Sequence, residues 1–152
     1  MLPTDTTPTS NKLLMCFEIH SKLLEDCLQL GQLQLCKVLL MNDSRFPWII
    51  LVPKIADLCD FHELPHENRQ DLFNEIETVS RTLERLFDVD KFNVAALGNQ
   101  VSQLHIHIIA RSKSDCAWPG PVWSTGKTIP YSKEMQDKLV EQLRQSIEDL
   151  TY

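Results

Sequence analysis

The chain has 152 residues, of which 43% are hydrophobic and 24% charged; this fits one globular domain and excludes a fibre or a disordered tail. Its longest apolar stretch, residues 46–53, is far shorter than the roughly 20 residues that cross a bilayer, so no membrane span is expected. The net charge of −6, without a run of five basic residues, disfavours nucleic-acid binding but allows a small anionic substrate.

The cysteines and the first residues indicate the compartment. The five cysteines are odd in number and show no C-x-x-C spacing: Cys16, Cys27, Cys36, Cys59 and Cys116. The opening residues lack the basic and apolar pattern of a secretory signal peptide. We therefore expect free thiols in a reducing cytosol, a cytoplasmic location and no zinc ribbon.

Residues 1–12 are rich in Thr, Pro, Ser and Asn and predict a flexible arm, which leaves residues 13–152 as a single domain. The first half of this domain predicts, in order, a helix over 19–26, strands over 28–35 and 37–41, a turn at 42–44 and a strand over 48–52. Gly31 indicates a hairpin or a bulge between the first two apolar runs.

The clearest predicted element is a long helix with one apolar stripe. The stripe has helical spacing and consists of Leu72, Ile76, Val79, Leu83 and Leu86. The charged residues between them, Glu75 included, are interpreted as a solvated face. Strands follow over 91–97 and 104–111, and a last helix begins near Ser132 as N-cap. Its apolar side is formed by Met135, Leu139, Leu143 and Ile147. This order predicts an α+β fold with an antiparallel sheet, a long central helix and a C-terminal helix.

Two histidines share one face of the predicted strand over 104–111. Because successive side chains of a strand point to opposite faces, Gln103, His105 and His107 lie together. The intervening leucine and isoleucines face the other way. An imidazole can act near neutral pH as nucleophile, proton donor or metal ligand, so this face is a candidate chemical surface.

Three interpretations of the two imidazoles are open at this point. They are hydrogen-bonded sheet histidines, two ligands of a zinc or iron site, or a catalytic pair that acts at phosphorus. A metal site needs a third ligand, and the candidates have no recognisable spacing: Asp115, Cys116, His20, His62 and His66. In the catalytic interpretation one imidazole attacks, and its neighbours orient it and stabilise charge.

The histidine strand resembles the signature of the histidine triad (HIT) superfamily. That signature is H-φ-H-φ-H-φ-φ, where φ is apolar, followed closely by Pro-Arg. Gln103 takes the first triad position, His105 the second and His107 the third. Ala110-Arg111 stands in place of Pro-Arg. The match therefore keeps two of the three triad histidines.

Other segments extend the resemblance, in the family's order, over about residues 17–111. Residues 98–103 resemble the phosphate loop G-Q-[ST]-V-x-H. Residues 39–53 resemble the family's strand, its Asn turn and its P-G-H-x-L-[IV]-x-P strand. Residues 115–123 read D-C-A-W-P-G-P-V-W and are similar to the D-x-x-W-P-G-P-V-W tail of a bacterial branch. That branch has a Q-L-H-φ-H triad and is described as diadenosine-polyphosphate-hydrolase-like.

The resemblance implies a nucleotide hydrolase or nucleotidyl transferase with a HIT-like fold, without cofactor or metal. Its substrates would be nucleotide anhydrides, esters or phosphoramidates, such as dinucleoside polyphosphates, attacked at the α-phosphate. His105 would be the nucleophile that forms a nucleotidyl-histidine intermediate. His107 would contact the phosphate and stabilise charge on the bridging or leaving oxygen.

The same resemblance implies binding residues and an oligomeric state. Asn42 would lie by the ribose or base of the substrate. The phosphate loop would supply uncharged donors from Gly98, Asn99, Gln100 and Val101. Family members are usually homodimers with a sheet that extends across both subunits, so a homodimer is expected.

Two departures from the family pattern concern the chemistry. Gln103 replaces the first histidine, and its amide can orient His105 or a phosphate oxygen but cannot act as acid or base. Gln103→His is therefore predicted to speed substrates with poor leaving groups most. Trp48, assigned to the core, replaces the histidine of the P-G-H strand. These changes leave a catalytically weakened nucleotide-binding protein as the alternative.

Two tryptophans after the histidine strand are too apolar for a free tail. Trp118 and Trp123 are separated by Pro119-Gly120-Pro121-Val122, which is too rich in proline for the interior of a sheet. We hypothesise that this segment lines the substrate groove, with a dimer surface as the alternative.

Overall fold

The computed structural model describes residues 16–152, so the predicted arm over 1–12 lies outside the described residues. The elements in chain order are α1 (Ser21–Asp26), β1 (Cys27–Gln32), β2 (Cys36–Met41), β3 (Trp48–Pro53), α2 (Arg69–Leu86), β4 (Lys91–Ala95), β5 (Ile106–Arg111) and α3 (Lys133–Ser146). The strands form one antiparallel sheet in the order β1-β2-β3-β5-β4. The predicted α+β fold, with its long central and C-terminal helices, is confirmed.

Strand β1 ends three residues earlier than predicted because a buried carboxylate turns the chain. Glu75 accepts the backbone N–H groups of Leu35 and Cys36 at 2.6 and 3.0 Å. Its interpretation as a solvated residue is wrong, since it is only 6% exposed. The predicted bulge is present, because the β1–β2 register shifts between Gln29 and Gly31. Gly31 has a φ of +155°, and a Cβ there would collide with the backbone oxygen of Thr151.

The sheet is covered on both faces, which explains the continuous apolar sequence of β3 and the burial of every residue of β5. All residues of these two central strands are buried. One face packs against α2 and α3 through side chains that include Ile49, Leu51, Ile106 and Ile108. The other face carries Trp48, Ile50 and Ile109, which pack with Leu23, Val101 and Val122. The histidines lie on this second face.

The helices follow their predicted stripes with one exception. Leu72, Val79 and Leu83 are buried, and α2 begins before the stripe, at Arg69. At α3, the Ser132 hydroxyl accepts the backbone N–H of the residue three positions on, which confirms the predicted N-cap. Met135 is 55% exposed, because the first turn of α3 lies outside the apolar clusters that cover the sheet.

The two strands around the candidate site are shorter than predicted. β4 ends at Ala95 and β5 begins at Ile106, so residues 96–105 form a loop between them. The N–H of Leu104 donates to the carbonyl of Leu58 at 2.8 Å, which fixes the end of this loop against the rest of the domain. None of the described helices combines the length and hydrophobicity needed to cross a membrane.

Candidate active site

A cavity of about 320 Å³ lies on the histidine face of the sheet. One side of it is polar and is formed by residues 98–101 and the rings of His105 and His107. Another side is apolar and includes Leu23, Cys27, Met41, Ile50 and Leu97. Two charged residues of α1, Lys22 and Asp26, complete this part of the wall. The cavity thus combines an apolar surface with convergent polar groups, as small-molecule sites commonly do.

The sheet brings the two imidazoles together. β5 lies between β3 and β4, and His107 is opposite Ile50 on one side and Ala95 on the other. His105 immediately precedes β5, and the two ring centroids are 4.9 Å apart in an edge-to-face arrangement. Each histidine is 7% exposed. Both rings are therefore held by the domain interior while they line the cavity.

The hydrogen bond at His105 defines which of its ring nitrogens carries a lone pair. Nδ1 of His105 lies 2.7 Å from the backbone carbonyl oxygen of Gln103. Because a carbonyl can only accept, the neutral ring carries its proton on Nδ1. The lone pair is then on Nε2, and no described residue hydrogen-bonds to that atom. This is the tautomer that a nucleophilic imidazole requires.

His107 is held between two tryptophans. Nε1 of Trp48 lies 3.0 Å from Nδ1 of His107. The ring of Trp123 meets His107 edge to face, with centroids 5.6 Å apart. Burial, with a smaller contribution from neighbouring His105, lowers the pKa of His107 to about 3. His107 is consequently a neutral imidazole at physiological pH.

The loop that resembles the family's phosphate loop forms part of the cavity wall. Residues 98–101 all line the cavity beside the histidines, as the resemblance implied for Gly98, Asn99, Gln100 and Val101. Gly98 has a φ of +70°, in the left-handed region that glycine adopts without strain. Val101 is buried and joins the apolar cluster on this face, which anchors the loop. The loop and the histidines thus line the same cavity.

Of the two tryptophans predicted to line the substrate groove, only one lies at the cavity. Trp123 lines the cavity and is 40% exposed, and its ring also packs edge to face on Trp48 at 6.4 Å. Trp118 is outside the cavity lining, and the guanidinium of Arg111 lies over its ring at 5.8 Å. Groove lining therefore applies to Trp123, while Trp118 packs on a buried arginine.

A family model described as HIT domain matches residues 25–114 of the chain. The chain belongs to the HIT family. The solved structure of a histidine triad protein from Marinobacter aquaeolei VT8 is 45% identical, with a TM-score of 0.85, and the match covers 90% of this chain and 99% of that one. A histidine triad protein from Bradyrhizobium japonicum is 40% identical with a TM-score of 0.84, covering 87% and 98%.

A third HIT protein, from Sinorhizobium meliloti 1021, is 39% identical with a TM-score of 0.82, and the match covers 86% of this chain and 96% of that one. No curated protein matches the chain. These likenesses confirm the predicted HIT-like fold.

Two of the residues predicted for this HIT site have side chains outside the cavity. The Gln103 amide donates to the carbonyl of Glu18 at 2.8 Å and accepts the N–H of His20 at 2.9 Å. It holds the segment before α1, so only the backbone of Gln103 orients His105. Oδ1 of Asn42 accepts the backbone N–H of Tyr131 at 3.0 Å, which ties this turn to the segment before α3.

The HIT site also contains residues that sequence reasoning missed. Lys22 and Asp26 form an ion pair one helical turn apart at 2.7 Å, and both line the cavity. The predicted helix over 19–26 was the only signal for them, and it did not indicate a site. Cys27 also lines the wall, and burial raises the pKa of its thiol to about 12, so it stays protonated and is a poor nucleophile.

The candidates for a third metal ligand do not gather around the HIT histidines. Within residues 16–152, no group of three or more His, Cys, Asp or Glu side chains lies close enough to hold a metal ion. Asp115 is bound instead by Arg111, with Nε to Oδ2 at 2.7 Å.

Proposed function

We propose that the protein is a nucleotide hydrolase or nucleotidyl transferase that acts at the α-phosphate through a covalent nucleotidyl-His105 intermediate. Its substrates are nucleotide anhydrides, esters or phosphoramidates, with dinucleoside polyphosphates as the leading class. The observation that carries this proposal is the hydrogen bond from Nδ1 of His105 to the Gln103 carbonyl. It leaves a lone pair on Nε2 of a ring that lines a cavity with both apolar and polar residues.

The proposed reaction has two displacements at phosphorus. In the first, the Nε2 lone pair of His105 forms a bond to the α-phosphorus, and the bond from phosphorus to the leaving group breaks with its electron pair. In the second, water or an acceptor hydroxyl attacks the same phosphorus, and the bond to Nε2 breaks. The attacking group loses its proton to solvent, and Nε2 keeps the electron pair of the broken N–P bond, so His105 returns to the neutral ring with its proton on Nδ1.

The composition of the cavity supports a nucleotide substrate. Leu23, Met41 and Ile50 offer an apolar surface for a nucleoside, and the adjoining loop at residues 98–101 offers uncharged donors for phosphate oxygens. Lys22 adds an ammonium donor to the same wall, where it is paired with Asp26. An apolar region next to a donor-rich loop suits a base and ribose joined to a phosphate chain.

The test is intact mass spectrometry at neutral pH after brief incubation with a dinucleoside polyphosphate or a nucleoside phosphoramidate. We expect a nucleotidyl adduct on the wild type and on His66→Ala, an exposed histidine outside the cavity. We expect neither adduct nor turnover in His105→Ala, and full turnover of the wild type with EDTA. Turnover by His105→Ala contradicts the assignment. Tight binding without adduct or turnover in the wild type identifies the alternative, a nucleotide-binding protein.

We also propose a homodimer through the open edge of the sheet. At the β1 edge, Arg144 donates to the carbonyls of Leu30 and Gln29 at 2.9 and 3.0 Å, and Thr151 bridges Gln32. β4 forms the other edge, and no described strand pairs with its outer side. An unpaired edge is a template for another strand, so a second copy can extend the sheet here.

An apolar groove beside β4 supports the same dimer. Phe61, Phe73 and Val94 are 46%, 70% and 44% exposed, and all three line this groove. A contiguous exposed apolar surface next to an open strand edge is typical of a subunit interface. A second copy presents the same edge and the same groove, which suits a two-fold arrangement.

The five free cysteines support the cytoplasm as the compartment.

A further inference from the structure

An indole nitrogen is buried against the second histidine of the candidate site. Nε1 of Trp48 lies 3.0 Å from Nδ1 of His107, and the two residues are 4% and 7% exposed. The indole N–H can only donate, so Nδ1 of His107 must accept. The proton of the neutral His107 ring is then on Nε2. His105 and His107 therefore have opposite tautomers, with the lone pair of His105 and the N–H of His107 both on Nε2.

The sheet and the neighbouring ring fix this contact. Trp48 is opposite Ile109 in the β3–β5 register, so His107, two residues away, is its diagonal neighbour on the same face. Trp123 packs edge to face on both rings, with centroid distances of 6.4 Å to Trp48 and 5.6 Å to His107. Rotation of either ring would break these contacts as well as the hydrogen bond.

We propose that Trp48 is a positioning residue that keeps the His107 proton on Nε2, so that His107 donates a hydrogen bond to the leaving group without transferring a proton to it. This rests on the proposed function, because it assigns a step to the same site. A neutral ring that gave up its Nε2 proton would become an imidazolate anion. The indole cannot replace that proton, since its own N–H does not titrate near neutral pH.

The consequence is a preference among leaving groups. Without a proton-transferring neighbour, the leaving group must depart as an anion that a hydrogen bond alone can stabilise. A nucleoside polyphosphate meets this condition, because its terminal phosphate is stable as an anion at neutral pH. An alkylamine does not, since it needs a proton before it can leave phosphorus. Among the proposed substrates, the site should therefore prefer phosphoanhydrides to alkyl phosphoramidates.

The first test measures the tautomer and needs no substrate. Long-range ¹H–¹⁵N spectra of the histidine rings, with His107 assigned from a His107→Gln sample, should show Nε2–H for wild-type His107 between pH 5 and 8. Trp48→Phe should give a mixture of tautomers, because the indole donor is lost. Trp123→Phe is the matched control that removes a contacting indole without this hydrogen bond, and it should keep Nε2–H. A Nδ1–H signal for wild-type His107 overturns the proposal even if no variant folds.

The second test compares kcat/KM for a dinucleoside polyphosphate with kcat/KM for an alkyl phosphoramidate of the same nucleoside. General acid catalysis contributes about 10²–10⁴-fold, so the wild-type ratio should be large. Trp48→Phe should reduce this ratio by lowering kcat/KM for the polyphosphate, because part of the His107 rings then present a lone pair instead of an N–H to the leaving group. An unchanged ratio contradicts the role of Trp48. If the wild type turns over neither substrate, the proposed function fails, while the spectra still decide the tautomer.

Discussion

The guanidinium of Arg111 and the carboxylate of Asp115 form a two-point ion pair, with Nε to Oδ2 at 2.7 Å and Nη2 to Oδ1 at 2.9 Å. The arginine is 2% exposed, and it also donates to the Asn93 side chain and the Gly120 carbonyl. The end of β5 is thereby joined to the segment that leads to Trp123. The pair connects the histidine strand to one wall of the cavity.

Removing one charge of this buried ion pair should destabilise the folded domain. Asp115→Asn leaves a buried guanidinium uncompensated, and we expect the free energy of unfolding to fall by about 3–5 kcal/mol. Urea denaturation measures this change. The matched control is Glu77→Gln, which removes an exposed pair with Arg81 at the same i,i+4 spacing and should cost less than about 1 kcal/mol. Equal losses in the two variants would contradict the structural role of the buried pair.

His107 should make stability depend on pH. Its folded-state pKa of about 3 lies below the unfolded value near 6.5, because burial disfavours the charged ring. Between these values the unfolded chain binds a proton that the folded chain does not. Stability should therefore fall as pH decreases from about 6.5 toward 3, by up to about 1.4 kcal/mol per pH unit.

Unfolding free energies measured across this pH range test the assignment. His107→Gln should flatten the slope, whereas His66→Gln, at an exposed position, should leave it as in the wild type. A slope that persists unchanged in His107→Gln would show that other groups cause it.

The position of the Gln103 side chain reverses a prediction made from the sequence. Its amide bonds to the backbone near α1 and does not reach His105 or the cavity. Gln103→His should therefore give no gain that depends on the leaving group. Gln103→Ala should lower the free energy of unfolding by about 1–2 kcal/mol, because two hydrogen bonds are lost. Gln70→Ala, on the exposed face of α2, is the control and should cost less than about 0.5 kcal/mol. Faster release of poor leaving groups by Gln103→His would show that a side chain at position 103 can take part in proton transfer, and would contradict this arrangement.

The two tryptophans of the 118–123 segment should respond differently to ligand. Trp123 lines the cavity, so a non-hydrolysable dinucleotide analogue should change its exposure and its fluorescence. Trp118 packs on Arg111, away from the cavity, so Trp118→Phe should keep most of the ligand-induced change. Trp123→Phe should reduce the change to the part contributed by Trp48. Loss of the signal in Trp118→Phe alone would contradict this arrangement.

The proposed dimer depends on apolar side chains next to β4. Val94→Lys combined with Phe73→Glu puts charges into the groove, and we expect a monomer in sedimentation velocity where the wild type is a dimer. Met135→Glu changes a similarly exposed side chain on α3, outside that groove, and should remain dimeric. A dimer that survives the double substitution would place the interface elsewhere.

Local patterns predicted much of the fold because their causes are local. The stripe of α2, the Ser132 N-cap and the alternation around His105 each depend on residues a few positions apart. The loop at 98–101 was assigned to the site by a motif, and it lies beside both histidines. Short-range periodicity and short motifs were sufficient for these features.

The features that sequence reasoning missed depend on partners far apart in the chain. The contact from Trp48 to His107 spans 59 residues, and the one from Glu75 to Leu35 spans 40. The amide of Asn42 finds its partner 89 residues later. A polar side chain that is satisfied by a distant backbone group looks the same in sequence as one that contacts solvent or substrate. Lys22 and Asp26 of α1 pair with each other locally, but the cavity that they line is completed by residues as distant in the chain as Trp123.

The unequal edges of the sheet would limit how far the proposed dimer can polymerise. Arg144 and Thr151 bond to backbone groups of Gln29, Leu30 and Gln32 in β1, whereas no described strand pairs with the outer side of β4. Two chains that join through β4 use up each other's open edge and present only blocked edges to a third. In the proposed dimer, assembly would close at two copies, and the ten strands would not extend into a filament. The proposed dimer would thus owe its closure to the contacts that Arg144 and Thr151 make at the far edge of the sheet.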